Sequence, residues 1–209
     1  DLRVASLLMA TFATSDLAYV DCYKLLTGLV VPRPIGWIGT VDADGRPNVA
    51  PYSFFQAVAS NPPTVLYSVG VNGGDEKDSL LNARATGEFT CSIVGMEVAA
   101  GMNQTAAELE HGNSEFDFAG LTPEPSIDVK APRVAEARAS FECRVVQMVE
   151  LGNQPNVNVV VFGEVVRFHV DDEILDGTRI DHAALDAVGR MAGNGYATTR
   201  DRFELIRPQ

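Results

Sequence analysis

Apolar and polar residues alternate along several segments of this chain with the two-residue period of a β-strand. In residues 88–93, the apolar positions Phe89, Cys91 and Ile93 alternate with polar ones, which predicts a strand in a sheet with one solvated face. Five other runs are rich in Val, Ile, Phe and Thr, as strands prefer; they occupy residues 35–41, 48–55, 64–71, 140–151 and 157–170. No regular alternation of strand and helix recurs, as a parallel sheet would require. We therefore expect at least six antiparallel strands.

Apolar spacing close to the helical period marks three shorter segments. The first covers residues 16–28, with Asp16 as its expected N-terminal cap and Gly28 as its expected stop. The other two cover residues 78–85 and 98–109. Because these helices interrupt the strands without forming a repeat, we expect a mainly β fold, a β-barrel with peripheral helices, in a single domain that spans residues 1–209.

Proline and glycine punctuate the first strands. Pro32 and Pro34 each fix a backbone angle and remove a donor, so the chain should run extended before the strand that starts near Ile35. The two faces of that strand should carry different side chains, Ile35, Trp37 and Val41 on one and Ile38 and Thr40 on the other. Asp44-Gly45 predicts a hairpin turn. Residues 120–132 contain three prolines and no periodicity, so we expect a surface excursion there.

Composition narrows the class of protein and its partners. The chain has 209 residues, of which 46% are hydrophobic and 21% charged, the balance of a soluble globular protein. Its formal net charge of −12, without any basic cluster, argues against nucleic acid as a partner. No apolar run approaches the roughly 20 residues that cross a bilayer. No basic segment leads into an apolar one at the start of the chain, so we expect neither a membrane helix nor an export signal.

The cysteines and histidines do not suggest a metal site. The three cysteines are odd in number and far apart, which favours neither a disulfide framework nor zinc and makes a reducing cytoplasm the default location. His111, His169 and His182 lack the paired spacing of metal ligands, and we expect His169 and His182 at the surface. His111 lies in the polar stretch EHGNSEFD. Solvent exposure is its default, and orienting a nucleotide or exchanging a proton is the functional alternative.

The segment PRPIGWIGT, residues 32–40, places two glycines beside a tryptophan in a predicted strand. Glycine weakens a strand interior and often marks a close approach by a ligand or another backbone. Gly36 and Gly39 would therefore leave room for a flat ring. Alternatively, they relieve crowding at a barrel corner while Trp37 fills the core, and the spacing leaves both interpretations open.

The next strand continues as NVAPYSFFQAVASNPP, residues 48–63. Pro51 cannot donate to a ladder, so the strand is either at an edge or bulged there. A bulge frees backbone groups that a ring with alternating donors and acceptors, such as a flavin, needs as partners. Ser53 adds a hydroxyl. For Phe54 and Phe55, packing in the core is the alternative.

The third segment, GGDEKDS at residues 73–79, opens a predicted helix. A helix start exposes unpaired amides and partial positive charge, so it can hold a phosphate, with Lys77 as counter-charge and Ser79 as hydroxyl donor. Against this, the three acidic residues Asp75, Glu76 and Asp78 would repel a phosphate and can cap the helix themselves. On these residues alone, capping is favoured.

The segment GRMAGNGY, residues 189–196, contains three glycines around Arg190 and Tyr196. So flexible a loop can cover a ligand, or it can be a tight crossing in which Arg190 forms a salt bridge. No Ser, His and Asp set and no Cys and His set carries a recognisable signature. We therefore assign no side chain a catalytic role.

Four stretches together resemble a known family: YKLLTGLVVPRPIGWIGTVDADGRPNVAPYSFF, SNPPTVLYSVG, KDSLLNARATGEFTCSIV and GRMAGNGYATTRDRFELIRP. They are similar, in this order from residue 23 to residue 208, to the flavin reductase-like, FMN-binding split-barrel family in its flavoredoxin-related branch. The resemblance implies a Greek-key split β-barrel that forms a homodimer. It also implies one FMN per subunit, bound where the two subunits meet.

The resemblance carries functional residues over by motif. One wall of the isoalloxazine site would be Gly36, Trp37, Ile38 and Thr40, and the other Pro51, Tyr52, Ser53, Phe54 and Phe55. The ribityl phosphate would be held by Lys77, Asp78 and Ser79. Weaker contacts to a substrate or to the flavin are implied for Arg190 and Tyr196, whereas the stretch around His111 does not align firmly with the family.

The implied function is an oxidoreductase in which hydride passes from NADH or NADPH to FMN and electrons pass on to another flavin or acceptor, such as a flavin-dependent oxygenase. The protein would hold and tune the ring while the cofactor supplies the chemistry. The alternative from another class is a flavin-binding electron carrier without NAD(P)H activity of its own. A third possibility is a split-barrel subunit that has lost its flavin.

Overall fold

The computed structural model describes residues 9–208. Within them the strands are β1 (Arg33–Pro34), β2 (Gly36–Val41), β3 (Pro47–Tyr52), β4 (Phe55–Ser60), β5 (Pro63–Asn72), β6 (Glu88–Ile93), β7 (Pro123–Glu124), β8 (Arg133–Val134), β9 (Ala139–Asn153), β10 (Asn156–Val170), β11 (Leu175–Asp176), β12 (Arg179–Ile180), β13 (Val188–Arg190) and β14 (Tyr196–Thr198). The helices are α1 (Tyr19–Leu29), α2 (Asp78–Thr86), α3 (Ala99–Gln104), α4 (Glu115–Ala119) and α5 (His182–Leu185), and 3₁₀ turns cover Thr14–Asp16, Met96–Val98 and Asp172–Ile174. In this part of the chain no helix is long and apolar enough to cross a lipid bilayer.

Seven strands form one antiparallel sheet in the order β3-β2-β6-β9-β10-β5-β4. The mainly β class and the antiparallel pairing are confirmed. Five of the predicted strands correspond to single strands of this sheet, β2, β5, β6, β9 and β10. The expected Asp44-Gly45 turn joins β2 to β3, and Gly45 has the positive φ of 84° that such a turn needs. Smaller ladders join β13 to β1 and β14, β11 to β12, and β7 to β8.

A two-residue link determines the shape of the large sheet. The strand predicted at residues 48–55 is two strands, because β3 ends at Tyr52 and β4 begins at Phe55. These are nevertheless the two outermost strands of the sheet. Consecutive Cα atoms lie 3.8 Å apart, so four of them span about 11 Å at most. The sheet must therefore curl until its edges lie side by side. Among the described strands, β3 and β4 share no ladder, so the curled sheet is open and not a closed barrel.

The curled sheet encloses one core and carries a second on its outer face. Ile38 and Phe89 belong to the inner core. Trp37 belongs to the outer core, where Met102 of α3 and Phe116 of α4 cover it. The predicted division of β2 into two faces is therefore confirmed for Trp37 and Ile38.

The outer face of β6 and β9 is polar, but it is not solvated. Thr90 and Ser92, which the alternation assigned to a solvated face, have no exposed surface, so that expectation was wrong. Thr90 donates to the carbonyl of Pro132 at 2.6 Å, and the hydroxyls of Ser92 and Ser140 lie 2.9 Å apart. The cover over this face is the chain at residues 120–134, most of which was expected to be a surface excursion. Hydrogen bonds from the polar side chains of the sheet, to this cover and to one another, replace those that water would make. These polar side chains can therefore be buried.

A buried carboxylate fastens this cover to the sheet. Glu142 of β9 has a side chain with 0% exposure and accepts the amides of Ile127, Asp128 and Val129 at 2.8, 2.5 and 3.1 Å. His169 also contacts it and is only 18% exposed, which corrects its expected surface position. Burial raises the pKa of Glu142, but the hydrogen bonds from the amides and His169 outweigh burial, so its pKa lies below the ordinary value.

The helix α1 differs from its predicted bounds at both ends. Asp16 lies in a 3₁₀ turn before the helix, and no side chain caps the first turn of α1. The helix also runs past Gly28. Its C-terminal end is held instead by Arg33, whose guanidinium donates to the carbonyls of Thr27 and Val30 at 2.7 and 2.8 Å. A cation at a helix C-terminus also complements the helix dipole.

The predicted helix at residues 78–85 is confirmed as α2, whereas the one at residues 98–109 is shorter than expected. It consists of a 3₁₀ turn followed by α3, which ends before Thr105. The Thr105 hydroxyl donates to the carbonyl of Met102 at 2.7 Å and accepts the indole N–H of Trp37 at 2.9 Å. These side-chain bonds compete with further helical turns.

We expect Glu142→Gln to lower the free energy of unfolding at pH 7 by about 1 to 3 kcal/mol, because the amide leaves buried backbone donors without a full set of acceptors. The lowered pKa of Glu142 means that its stabilising contribution is complete above the ordinary value of 4.5 and is lost as the pH falls below it. The difference between wild type and variant should therefore shrink between pH 7 and pH 3. Urea unfolding at both pH values measures it. Glu164→Gln, on the neighbouring strand β10, is the control; equal effects of both substitutions would contradict the assignment.

Candidate functional site

A groove follows the free edge of β3 and consists of two chambers. The α2 chamber, of about 380 Å³, lies between β3, the start of α2 and residues 105–111. The α1 chamber, of about 300 Å³, lies between α1, α3 and residues 190–196. Pro51 and Ala106 line both, so the chambers are adjacent. Of the two positions expected for Pro51, an edge strand or a bulge, the structure has the edge strand: β3 is an outermost strand, it pairs with β2 without a bulge, and it forms the floor of the groove.

The groove brings together most of the residues that the sequence singled out. The α2 chamber is lined by Pro51, Tyr52, Lys77, Asp78, Ser79 and His111. The α1 chamber is lined by Pro51, Ser53, Arg190 and Tyr196. Residues from four separate segments of the sequence thus meet along one strand edge.

The start of α2 has no side-chain cap. Lys77 occupies the N-cap position and makes no capping hydrogen bond through its side chain. The acidic residues that were expected to cap the helix have other partners: Glu76 pairs with Arg84 at 3.1 Å, and Asp78 contacts the imidazole of His111. The first amides of α2 are therefore left for another acceptor, and two of the neighbouring carboxylates are already paired.

His111 is an exposed residue at the rim of the α2 chamber, with 71% of its side chain accessible. Its default exposure is confirmed. The hydrogen bond to Asp78 and the charge of that carboxylate raise the pKa of His111 above the ordinary value of 6.5. The imidazole therefore keeps its proton, and with it a positive charge, to a higher pH than a free histidine does.

A buried chain of polar side chains runs from α2 to the wall of the α2 chamber. Asn82 donates to the Thr40 hydroxyl at 3.1 Å, Thr40 donates to Asn48 at 3.1 Å, and Asn48 donates to the Glu115 carboxylate at 2.6 Å. The amide of Val49 also donates to Glu115, at 3.3 Å. Burial raises the pKa of Glu115, so this carboxyl holds a proton at higher pH than usual. Sequence analysis missed Asn48 and Glu115, which lie 67 positions apart and show no local signal.

Tyr52 connects the floor of the groove to α2. Its hydroxyl contacts the hydroxyl of Ser79, and burial raises the pKa of Tyr52 to about 12. Ser79 is itself buried. The Tyr67 ring is tilted by 46° against that of Tyr52, with the two centroids 5.2 Å apart, and the Tyr67 hydroxyl has no hydrogen-bond partner among the described residues. Both hydroxyls stay protonated at neutral pH, so they can act here only as neutral donors or acceptors.

The wall of the α1 chamber is built around Tyr196. Its hydroxyl donates to Asn103 of α3 at 3.0 Å, and the Arg190 guanidinium lies 4.6 Å from its ring centroid. Arg190 also donates to the carbonyl of Gly193. No carboxylate within residues 9–208 forms a salt bridge with Arg190. Within this part of the chain, the expectation that Arg190 forms a salt bridge was therefore wrong.

The first wall implied by the resemblance lies behind the groove. Gly36, Trp37, Ile38 and Thr40 line neither chamber, and they are all buried. A Cβ on Gly36 would lie 2.5 Å from the Phe55 ring, and one on Gly39 would lie 2.4 Å from both the Pro132 carbonyl and Thr90. The two glycines thus permit close packing while Trp37 lies in the core. This is the second of the two interpretations that the sequence left open for residues 32–40.

Phe54 and Phe55 face a third depression, the Phe54 groove, of about 440 Å³. It also includes Leu26 and Val30 from the α1 region. The guanidinium of Arg33 lies 5.9 Å from the Phe54 ring centroid. The structure therefore separates these two phenylalanines from the α2 chamber, and Phe55 packs against the inner core, as the core-packing alternative expected for at least one of them.

A larger depression, of about 860 Å³, lies elsewhere, around Arg138 and His169. Arg138 is already paired with Asp171 at 3.2 Å and with Glu173 at 2.5 Å. None of the residues predicted to bind a ligand lines this depression. Across residues 9–208, no group of three His, Cys, Asp or Glu side chains is placed to hold a metal ion.

Comparison with known proteins agrees with this architecture. Residues 28–190 match the family described as flavin reductase like domain. A Deinococcus radiodurans protein without an assigned function is 44% identical over 194 residues, which cover 88% of this chain and 84% of that protein.

Two solved structures are similar along almost their whole lengths. Nitrilotriacetate monooxygenase component B from Bacillus cereus superimposes with a TM-score of 0.92 at 37% identity, covering 94% of this chain and 98% of that one. The 2-nitrobenzoate 2-nitroreductase NbaA from Pseudomonas fluorescens has a TM-score of 0.86 at 28% identity, covering 95% and 96% of the two chains. The match over residues 28–190 and these similarities confirm the resemblance seen in the sequence: this chain belongs to the flavin reductase-like family.

Proposed function

We propose that this chain, as a single domain, binds FMN and is an NAD(P)H-dependent flavin oxidoreductase that passes electrons to a second flavin or another acceptor. The observation that carries the proposal is the pair of adjacent chambers along β3, one of which ends at an uncapped helix start. Family membership supports flavin binding and oxidoreductase activity. The choice of FMN rests on the phosphate that this helix start can accept.

The residues of the α2 chamber fit a phosphate ester. Lys77 supplies a charge, and the free amides at the start of α2 supply directed donors. The pairing of Glu76 with Arg84 and of Asp78 with His111 reduces the repulsion that these carboxylates would otherwise exert. We assign the phosphate to this end of the groove.

The floor of the groove supplies backbone acceptors. The amide of Val49 points away from β2, since it donates to Glu115. In an antiparallel strand the backbone groups of every second residue point to the same side. The carbonyl of Pro51, two residues after Val49, therefore also points to the free edge, and Pro51 has no N–H there. Ser53 adds a hydroxyl at the α1 chamber. Bound FMN would supply the ring that accepts hydride, and the chain would orient that ring and exclude water from one face.

A flavin-dependent oxygenase is the partner that we propose as electron acceptor. The support is the similarity to a protein named as component B of a monooxygenase. The similarity to a nitroreductase supports the broader proposal that acceptors other than a flavin are used by this fold. The cysteines are free within the described residues, which is consistent with a reducing, cytoplasmic location.

We also propose a homodimer formed through α1 and β4. Thr27 is the only buried residue of α1, whereas Tyr23 and Leu26 are 52% and 53% exposed. β4 is an edge strand whose residues after Phe55 are all exposed. The Phe54 groove joins these two surfaces. An exposed apolar helix beside an unpaired strand edge is a surface that a second copy would cover.

Anaerobic mixing with NADH or NADPH tests the central proposal. We expect the flavin-loaded protein to lose its oxidised flavin absorption with one or both nucleotides, faster than the same concentration of free FMN does. No bleaching with either nucleotide would leave the electron-carrier alternative. A protein that stays colourless after incubation with FMN and dialysis would indicate a subunit without flavin.

The phosphate assignment predicts that Lys77→Ala weakens FMN roughly ten- to a hundredfold, because a charged hydrogen bond contributes about 1.5 to 3 kcal/mol. Riboflavin, which lacks the phosphate, should bind both proteins equally. Fluorescence titration with the two flavins measures this. Lys130→Ala, at another exposed lysine, is the matched control. Parallel losses of FMN and riboflavin would show that Lys77 does not act on the phosphate.

The dimer proposal predicts that Leu26→Asp shifts the protein towards the monomer, because it places a charge in an apolar interface. Sedimentation velocity at several concentrations measures the shift. Ile127→Asp changes an apolar side chain that is 67% exposed on the cover of the sheet and should leave the dimer intact. A wild-type protein that is monomeric at all concentrations would refute the dimer.

A further inference from the structure

The α1 chamber differs in charge from the rest of the molecule. The chain carries a formal net charge of −12, yet the charged side chains that line this chamber are Arg33 and Arg190, without a single Asp or Glu. The adjoining α2 chamber has the opposite balance: its charged lining consists of one lysine, one histidine and five carboxylates, Asp75, Glu76, Asp78, Glu108 and Glu115. A low-dielectric cavity lined by one sign of charge attracts the other sign.

Arg33 is a buried cation without an acidic partner. It is 6% exposed, and no carboxylate in residues 9–208 forms a salt bridge with it. Its guanidinium makes four hydrogen bonds, two to the end of α1, one to the Met191 carbonyl at 3.1 Å and one to the Ser53 hydroxyl at 3.4 Å. A guanidinium has five N–H donors, so one is left over. Buried charges in proteins are normally paired, and a ligand anion would complete this one.

Arg190 stands at the same chamber and is held by Tyr196 and Gly193, as described above. Its position is therefore set by an aromatic ring and a carbonyl, neither of which neutralises its charge. The remaining wall is mixed: it has apolar or aromatic side chains, such as Tyr23, Ile35 and Met102, and polar ones, Thr27, Ser53 and Asn103. A volume of about 300 Å³ is at the lower end of the range for small-molecule sites. The chamber thus combines room for one ring with two cations.

We propose that the α1 chamber binds a small aromatic carboxylate, with Arg190 and Arg33 as the partners of its carboxylate. The inference deepens the proposed function, on which it rests, by naming the class of second substrate that enters beside the flavin. Arginine suits this role because its planar fork matches a carboxylate in two hydrogen bonds. A dinucleotide does not fit this volume, and the flavin phosphate is assigned to the α2 chamber, which leaves the α1 chamber for a second anion.

Benzoate and its neutral analogue benzamide are the probes. Isothermal titration calorimetry of the flavin-loaded protein should show benzoate binding, with benzamide at least tenfold weaker. Arg190→Gln should weaken benzoate about tenfold, equivalent to ~1.4 kcal/mol, and leave benzamide unchanged. Arg179→Gln removes the same charge from an exposed position on β12 and should leave both affinities unchanged. Arg33 is left intact, because it also holds α1 and residue 191.

Three results would overturn the proposal. The first is the absence of benzoate binding at millimolar concentration, and the second is equal affinity for benzoate and benzamide. The third is competition in which FMN displaces benzoate but riboflavin does not, together with a loss of FMN affinity alone in Arg190→Gln; the chamber would then hold the flavin phosphate. If the protein binds no flavin, the proposed function fails, but the same titrations on the flavin-free protein still test the chamber.

Discussion

The short link between β3 and β4 is the constraint on which the rest of this structure depends. Two residues, at positions 53 and 54, join the outermost strands of a seven-stranded sheet, so the sheet has to curl until those edges meet. The curl encloses the inner core, and the edges do not pair, so β3 keeps a free side. Pro51, which has no amide hydrogen to lose, lies on that side and serves both chambers of the groove. The site is therefore a consequence of the way in which the sheet fails to close.

Buried charges hold the elements around this sheet in place. Glu142 is satisfied by three backbone amides and His169, which fixes the cover over β6 and β9. Arg33 is satisfied largely by backbone carbonyls, which fixes the end of α1 against residue 191. In both cases one buried side chain bonds to several backbone groups of a segment that otherwise has only a short ladder, β7 with β8 or β1 with β13. The difference is that Glu142 has a histidine beside it, whereas Arg33 has no acidic partner in the described chain.

Local patterns were enough to predict five of the seven strands of the sheet, but not the break between β3 and β4 or the segments that cover the sheet. The division between Trp37 and Ile38 follows from the two-residue period, so it could be predicted. The burial of Thr90 could not, because its partner Pro132 lies 42 positions away. The same holds for the site. Capping by Asp78 was the better interpretation of residues 73–79 alone, and it failed because His111, 33 positions later, takes that carboxylate. The order of the four motifs along the chain was enough to identify the family. The roles of Glu115 and Arg33 could be recognised only from the structure, which shows their contacts to residues distant in the sequence.

The helix α1 belongs both to the proposed dimer interface and to the α1 chamber. One of its faces is exposed and apolar, and this is the face that the proposed dimer would cover. The same helix contributes Tyr23, which is also part of that exposed face, and the buried Thr27 to the α1 chamber. Because Arg33 bonds the end of α1 and the carbonyl of Met191 together, the helix and the segment that carries Arg190 cannot shift independently. A partner subunit that packs against α1 would therefore also affect the positions of Arg33 and Arg190. Under the two proposals made above, assembly and the selection of an anionic second substrate depend on the same helix of this chain.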